Sequence, residues 1–302
     1  MLLLMPGLIH YNHCPVCGAS RIREVFPVKD HTVSHESFAV WQCDECTLRF
    51  TQDVPDAETI APYYRSENYI SHTNTSKGFI NRLYQRVRKK TLRQKRKLVI
   101  KLTGKKTGTL LDIGSGTGAF VQEVRTQGWQ VTGLEPDAGA RQVAKEDFAT
   151  TLEGIDSFCR LPVASFDAIT MWHVLEHVHD LQGYMAQLKN LLREDGRLFI
   201  AVPNYTSEDA AFYKQYWAAY DVPRHLYHFS PASLQRLVEG HGLKLVACKP
   251  MWYDSFYISL LSSRYKNGKT NMPGAVLTGL RSNIKAWTDV KRCSSVIYVI
   301  GK

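Results

Sequence analysis

The chain has 302 residues, 44% of them hydrophobic and 22% charged, proportions ordinary for a soluble globular protein. That length allows one large domain and a small one. No run of about 18 apolar residues is present, which argues against a membrane-spanning helix. The formal net charge is +10, from 38 Lys and Arg against 28 Asp and Glu. The segment from Asn68 to Leu111 carries thirteen basic residues and no acidic one, so the rest of the chain is near neutral.

The apolar start, MLLLMPGLIH, is short, lacks a basic flank and contains Pro6, so it does not read as a secretory leader. Two CxxC pairs follow: Cys14 with Cys17, and Cys43 with Cys46. The remaining cysteines, Cys159, Cys248 and Cys293, stand alone. Two knuckles of this spacing present four thiolates to one metal, and tetrahedral Zn2+ in a structural role is the expected occupant. Between the pairs, IREVFPV and ESFAVWQC alternate like strands. Residues 1–55 are therefore expected to form a zinc-ribbon-like module. Residues 56–106 are expected as a linker and a basic amphipathic helix. In that helix Ile80, Leu83 or Tyr84, Val87, Leu98 and Leu102 recur at three- and four-residue steps.

From Thr109 strands and helices alternate, which predicts a mostly parallel sheet covered by helices on both faces over residues 107–302. TLLDIGSG, QVTGLEP, FDAITMWHV, RLFIAVPN, LKLVACKP and SSVIYVIGK read as strands. AFVQEVRTQG, ARQVAKEDF, LQGYMAQLKNLLREDG (stopped by Gly196) and SPASLQRLVEGHG read as helices. Residues 251–292 form an insertion without a clear pattern.

LLDIGSGTGAF delivers a strand into Gly114, Gly116 and Gly118, where a backbone without Cβ atoms turns tightly and approaches a ligand. The spacing alone also suits a dinucleotide. Asp112 tips the reading, since a carboxylate there repels a phosphate and attracts an ammonium. Glu135 ends the next strand, where an acidic side chain accepts the hydroxyls of a ribose.

LLDIGSGTG, GLEP and SFDAITMWHVLEHV together resemble the class I S-adenosylmethionine-dependent methyltransferases, near the ubiquinone-biosynthesis-type branch. The resemblance covers residues 110–250. It implies a Rossmann-like α/β fold, a seven-stranded methyltransferase sheet with the last strand antiparallel. It implies a cofactor site of Asp112, Gly114, Ser115, Gly116, Gly118, Glu135, Pro136, Asp156, Trp172 and His173.

A hydroxyl acceptor must lose its proton, and histidine is the usual base near neutral pH. His177, in LEH, and His225 are the candidate catalytic residues. In YWAAYDVPRHLYHFS, Trp217, Arg224 and His228 are the candidate substrate-binding residues, with Arg224 placed to grip an acidic group. The expected reaction is O-methylation of a small molecule, sugar or glycan-related acceptor in the cytoplasm. Two other readings stay open: an RNA methyltransferase whose zinc module and basic segment 77–106 bind phosphates, or a cofactor-binding scaffold without catalysis.

Overall fold

The computed structural model describes residues 7–65 and 79–302, with the side chains of 79–85 excepted. The first six residues of the apolar start, Lys77, and the side chains of Ile80, Arg82, Leu83 and Tyr84 lie outside the described residues. The chain divides into two compact units. Of the described residues, one comprises 7–65, 173–185 and 201–299, and the other 79–172, 186–200 and 300–302.

In chain order, the first unit begins with β1 (Leu8–Ile9), β2 (Ile22–Lys29), β3 (Ser37–Cys43), β4 (Arg49–Thr51) and β5 (Val54–Pro55). The second contributes α1 (Phe79–Thr103), β6 (Thr109–Ile113), α2 (Ala119–Arg125), β7 (Gln130–Leu134), α3 (Ala138–Phe148) and β8 (Phe166–Trp172). Then come α4 (Leu181–Leu191), β9 (Leu192–Pro203), α5 (Glu208–Tyr213), β10 (Tyr227–His228), α6 (Pro231–Gly240) and β11 (Lys244–Pro250). The chain closes with α7 (Asp254–Asn267), α8 (Met272–Thr288) and β12 (Ser295–Gly301).

Among the described residues the main sheet has six strands in the order β11-β12-β9-β8-β6-β7, one fewer than the seven that the family resemblance implies. The missing strand, just ahead of Asp156, is reduced to one parallel bridge between Leu134 and Glu153. Gly154 follows and the chain turns at once into a 3-10 helix over Ile155–Arg160. β6 pairs in parallel with β7 and with β8. Its Leu110, Leu111 and Ile113 are buried, as a continuous apolar run requires of a central strand.

A second difference lies after α4. The helix predicted through to Gly196 stops at Leu191, and β9 starts at Leu192. The charged residues in between serve as strand-edge anchors rather than a helix end. Arg193 Nη1 reaches Asp167 at 2.9 Å, and Glu194 meets Lys302 at 3.0 Å.

In the first unit, β2, β3 and β4 form an antiparallel sheet that takes a fourth strand from far along the chain. β10 pairs with β4 through Tyr227–Phe50 and His228–Arg49. Val28 and Val40 of this sheet pack with Ala210, Tyr213, Trp217 and Ile258 in one buried cluster. The insertion without a clear pattern is a helical pair, α7 and α8. At Gly279 an added Cβ would lie 3.1 Å from Phe256 Cα, so the two helices touch at backbone distance. Among the described residues no helix is long and apolar enough to cross a membrane.

Candidate functional site

In the second unit the strand end of β6 opens into the glycine turn. Gly118 caps α2 with φ of +76°, and a Cβ there would sit 3.0 Å from the Ala144 Cβ. Gly116, at φ of +53°, faces open space: a Cβ placed on it would meet nothing within 4 Å. Ser115 Oγ donates to the Asp112 carbonyl at 2.9 Å and holds the turn closed.

Asp112 is 1% exposed and accepts a hydrogen bond from Thr170 Oγ1 at 2.6 Å. Burial pushes its carboxyl up to about 6, with the Thr170 and Ser115 hydroxyls working against that rise. A carboxyl in this condition favours a cationic neighbour. Glu135 is also buried. Its Oε2 accepts from Gly116 N at 2.7 Å and its Oε1 from Asp137 N at 3.0 Å, so it clasps the glycine turn. Pro136 follows it, and its carbonyl accepts from Arg141 Nη1 at 2.7 Å. Asp156 lies on the exposed 3-10 turn, paired with Arg160 at 2.8 Å. Trp172 ends β8 with its ring edge-on to Phe120, and its buried Nε1 has no hydrogen-bond partner among the described residues.

The basic helix contributes here in a way its sequence does not announce. Lys95 Nζ stands 4.4 Å from the centre of the Trp172 ring, Arg88 donates to Thr117 Oγ1 at 3.1 Å, and Arg96 pairs with Glu123 at 3.0 Å. Arg88 and Arg96 turn inward over the glycine turn and α2, and Lys95 over the end of β8. Lys89, Lys90, Arg93 and Lys97 remain exposed. The signal that distinguishes the two sets is phase: Arg88, Lys95 and Arg96 share the α1 face that carries Val99, which is buried.

In the first unit a histidine cluster gathers around Glu176. This carboxylate is fully buried, and neither oxygen has a hydrogen-bond partner among the described residues. His173 Nδ1 approaches Oε1 at 3.4 Å, and His173 Nε2 meets Asp254 Oδ2 at 3.0 Å. Burial opposes a charge on His173, but the Asp254 and Glu176 carboxylates outweigh it and lift the imidazole to about 9. Burial likewise opposes the charge on Glu176, and His173 with its neighbours brings that carboxyl below its ordinary value.

His177 lies on a 3-10 turn, Leu175–His177, rather than on the helix that follows. Burial, then the neighbouring His225, pushes it down to about 4, so it is neutral at physiological pH. Its Nδ1 lies 2.9 Å from the Arg224 carbonyl and 3.0 Å from the Tyr64 hydroxyl. A carbonyl only accepts, so Nδ1 carries the proton and Nε2 the lone pair. His225 repeats the arrangement, with Nδ1 2.8 Å from the Ala219 carbonyl. The two rings stand edge-on, centroids 4.6 Å apart. Donor atoms of Glu176, His177 and His225 all lie within 4.8 Å of one another, close enough to share a proton or a cation.

Trp217, Arg224 and His228 do not form an open substrate wall; all three are buried. Trp217 Nε1 donates to Asp209 at 2.8 Å. Arg224 donates to Asp30, Thr32, Asp221 and the Tyr63 carbonyl, which leaves its charge no acidic group to grip from outside. His228 Nε2 contacts Thr51 Oγ1 at 3.2 Å, and burial holds its imidazole well below the ordinary value. The segment is dense in aromatic and basic residues because it is packed as a core.

The four cysteines of the CxxC pairs converge. Cys14 Sγ lies 3.4 Å from Cys46 Sγ, and Cys17 Sγ 3.6 Å from Cys43 Sγ. A tetrahedral site with Zn–S of ~2.3 Å has sulfur–sulfur edges of ~3.8 Å. No disulfide joins them. Glu45 N donates to Cys43 Sγ at 3.4 Å, a contact suited to a thiolate.

Residues 84–248, more than half of the chain, match the family model of a methyltransferase domain. An uncharacterized methyltransferase of Alkaliphilus oremlandii is 35% identical over 109 residues, covering 35% of this chain and 50% of its own length. A ubiquinone biosynthesis O-methyltransferase of Glaesserella parasuis is 35% identical over 118 residues, covering 35% and 49%. A demethylmenaquinone methyltransferase of Tropheryma whipplei is 29% identical over 154 residues, covering 48% and 64%. The chain thus spans about half the length of the first curated relatives it matches. A crystal structure from Galdieria sulphuraria, described as a sarcosine dimethylglycine methyltransferase, superposes with a TM-score of 0.50 at 15% identity, covering 71% of this chain and 87% of its own. Likeness at that identity speaks for the fold alone.

Proposed function

The chain belongs to the methyltransferase domain family, and on that footing we propose that it transfers a methyl group from S-adenosylmethionine to an oxygen of a small-molecule acceptor. The observation that carries the reading is Asp112: a buried carboxyl raised to about 6 at the mouth of a glycine turn, placed to take the cationic end of such a cofactor. The unpartnered Trp172 Nε1 and the open space at Gly116 fit a ligand at the same turn. Gly114, Ser115, Gly116 and Gly118 hold its methionine end. Glu135, with Pro136 behind it, takes the ribose hydroxyls, and the turn at Asp156 the adenine.

The cofactor, when bound, supplies a methyl already activated on a sulfonium. What the protein adds is alignment of the acceptor and removal of its proton. Within the first unit, His177 is the base we assign to the second task through its unprotonated Nε2, and the Glu176 carboxylate beside it balances the charge of the proton it takes. His173, held as an imidazolium between Asp254 and Glu176, fixes the Glu176 carboxylate in place. The relatives include a ubiquinone biosynthesis O-methyltransferase, which favours a phenolic hydroxyl over a glycan as the acceptor class.

The four cysteines hold one structural Zn2+. Four thiolates this close repel one another, and a dication neutralises them without any further ligand.

The reading is tested by binding and turnover together. Calorimetry with S-adenosylmethionine and S-adenosylhomocysteine should show one site, lost in Asp112→Ala. A tritiated-methyl assay over catechols, hydroxyquinones and sugars should label the phenolic set. Label on sugars alone would refute the acceptor class, and no cofactor binding would refute the whole reading.

A further inference from the structure

Helix α8 is built the wrong way round for a helix packed on a protein. Its small residues, Ala275, Gly279, Ser282 and Ala286, are buried against the unit. Its large apolar residues, Met272, Val276, Leu277, Leu280, Ile284 and Trp287, are exposed, and Trp287 is 84% exposed. At 100° per residue the six exposed side chains occupy an arc of about 140° on one face. An apolar face of this extent on a surface helix marks a contact site.

Charge decides what it contacts. Residues 254–289 contain five Lys and Arg against two acids, Asp254, which is paired with His173, and Asp289, which caps the turn after α8 by accepting from Lys291 N. Arg281 borders the apolar arc and Lys285 lies one turn further round on the same side, both exposed and neither in an ion pair among the described residues. A second copy docked on this face would bring like charges together, since α8 itself carries no acid and the Asp289 that follows it is engaged at Lys291 N. An anionic lipid headgroup layer answers both the charge and the apolar arc. Asn283 donates to the Trp252 carbonyl at 2.8 Å, which brings a second half-exposed Trp beside the helix. Indole rings suit the boundary between headgroups and acyl chains.

We propose that the outer face of α8 docks the protein onto an anionic membrane surface. The helix lies in the headgroup plane, about 25 Å long, with its apolar arc immersed and Arg281 and Lys285 at the phosphates. Backbone-distance packing on α7 keeps the helix formed before it meets lipid. The proposal holds whatever the methyl acceptor is, because vesicle binding needs neither cofactor nor turnover.

The test is co-sedimentation of the full chain with vesicles of phosphatidylcholine alone and with a quarter phosphatidylglycerol. The wild type should bind the second and not the first, and lose binding in high salt. The pair Leu280→Ser and Trp287→Ser should weaken binding by at least tenfold. Arg281→Gln and Lys285→Gln should each weaken it about fivefold and flatten the salt dependence. These positions are on the surface, so unchanged circular dichroism and melting would show that folding is intact. A wild type that ignores phosphatidylglycerol vesicles overturns the proposal, as does equal binding to both vesicles. So does a wild-type dimer that Trp287→Ser dissociates while no vesicle binding is seen, which assigns the face to a second copy.

Discussion

Arg224 Nη2 donates to Asp30 Oδ1 across 3.1 Å, joining two side chains 194 positions apart and both almost wholly buried. The same nitrogen reaches Asp221 at 2.7 Å. Against the pull of burial, the guanidinium holds the Asp30 carboxyl well below the usual carboxylate range. Removing it strands a buried carboxylate. Arg224→Met should therefore lower the unfolding free energy by about 3–5 kcal/mol in urea titrations. Methyl-donor affinity per folded molecule should stay unchanged. A near-neutral stability effect would show that Asp30 finds another partner.

His177→Ala should depress kcat by ~100-fold or more while leaving calorimetric affinity for the methyl donor intact. Turnover at the wild-type rate would remove His177 from the chemistry. The Gln variant, which keeps polarity but cannot take a proton, should behave as the Ala variant does.

The His173 imidazole is raised to about 9 in the fold. A raised base stabilises the folded state in full below its unfolded value, ~6.5, and that stabilisation fades as pH rises through about 9. Melting temperature should therefore fall between about pH 6.5 and 9.5, and Asp254→Asn should shrink that fall. An Asp254→Asn profile that overlays the wild type would show that His173 is not its source.

Elemental analysis of the purified chain should find one zinc per molecule. Cys17→Ser or prolonged chelation should release it and expose the Trp41 strand to protease. Full zinc content in a variant lacking both Cys17 and Cys43 would falsify the four-thiolate site.

Asp112→Ala should weaken S-adenosylhomocysteine binding at least tenfold, ~1.4 kcal/mol. Since the free carboxyl sits near 6, wild-type affinity should also drop as pH falls below that value, and the variant's should not.

The parallel strands and the glycine turn are legible in the sequence because continuous apolar runs such as Leu110–Leu111–Ile113 mark buried strands, and closely spaced glycines mark a tight ligand-facing turn whose ligand Asp112 then narrows. The CxxC pairs are legible for the same reason. The Arg224 loop misleads because Trp, Arg and His carry the same letters whether they face a ligand or, as here, each other; only the distant Asp30 and Asp209 decide. β10 has two residues and no periodicity to detect. The inward turn of Lys95 and Arg88 is hidden in a uniformly basic stretch. α7 and α8 resist placement because the exposed face of α8 is apolar and its buried face small, the reverse of the usual pattern.

The pairing of β10 with β4 also sets an order of events at the ribosome. Thr51 meets His228 only after 177 further residues have been made. At a synthesis rate of about 5–20 residues per second, that is a wait of roughly ten to thirty-five seconds. During it the cysteine knuckles have emerged, while the edge of β4 stands unpaired. A nascent chain in that interval presents an open strand edge to its neighbours.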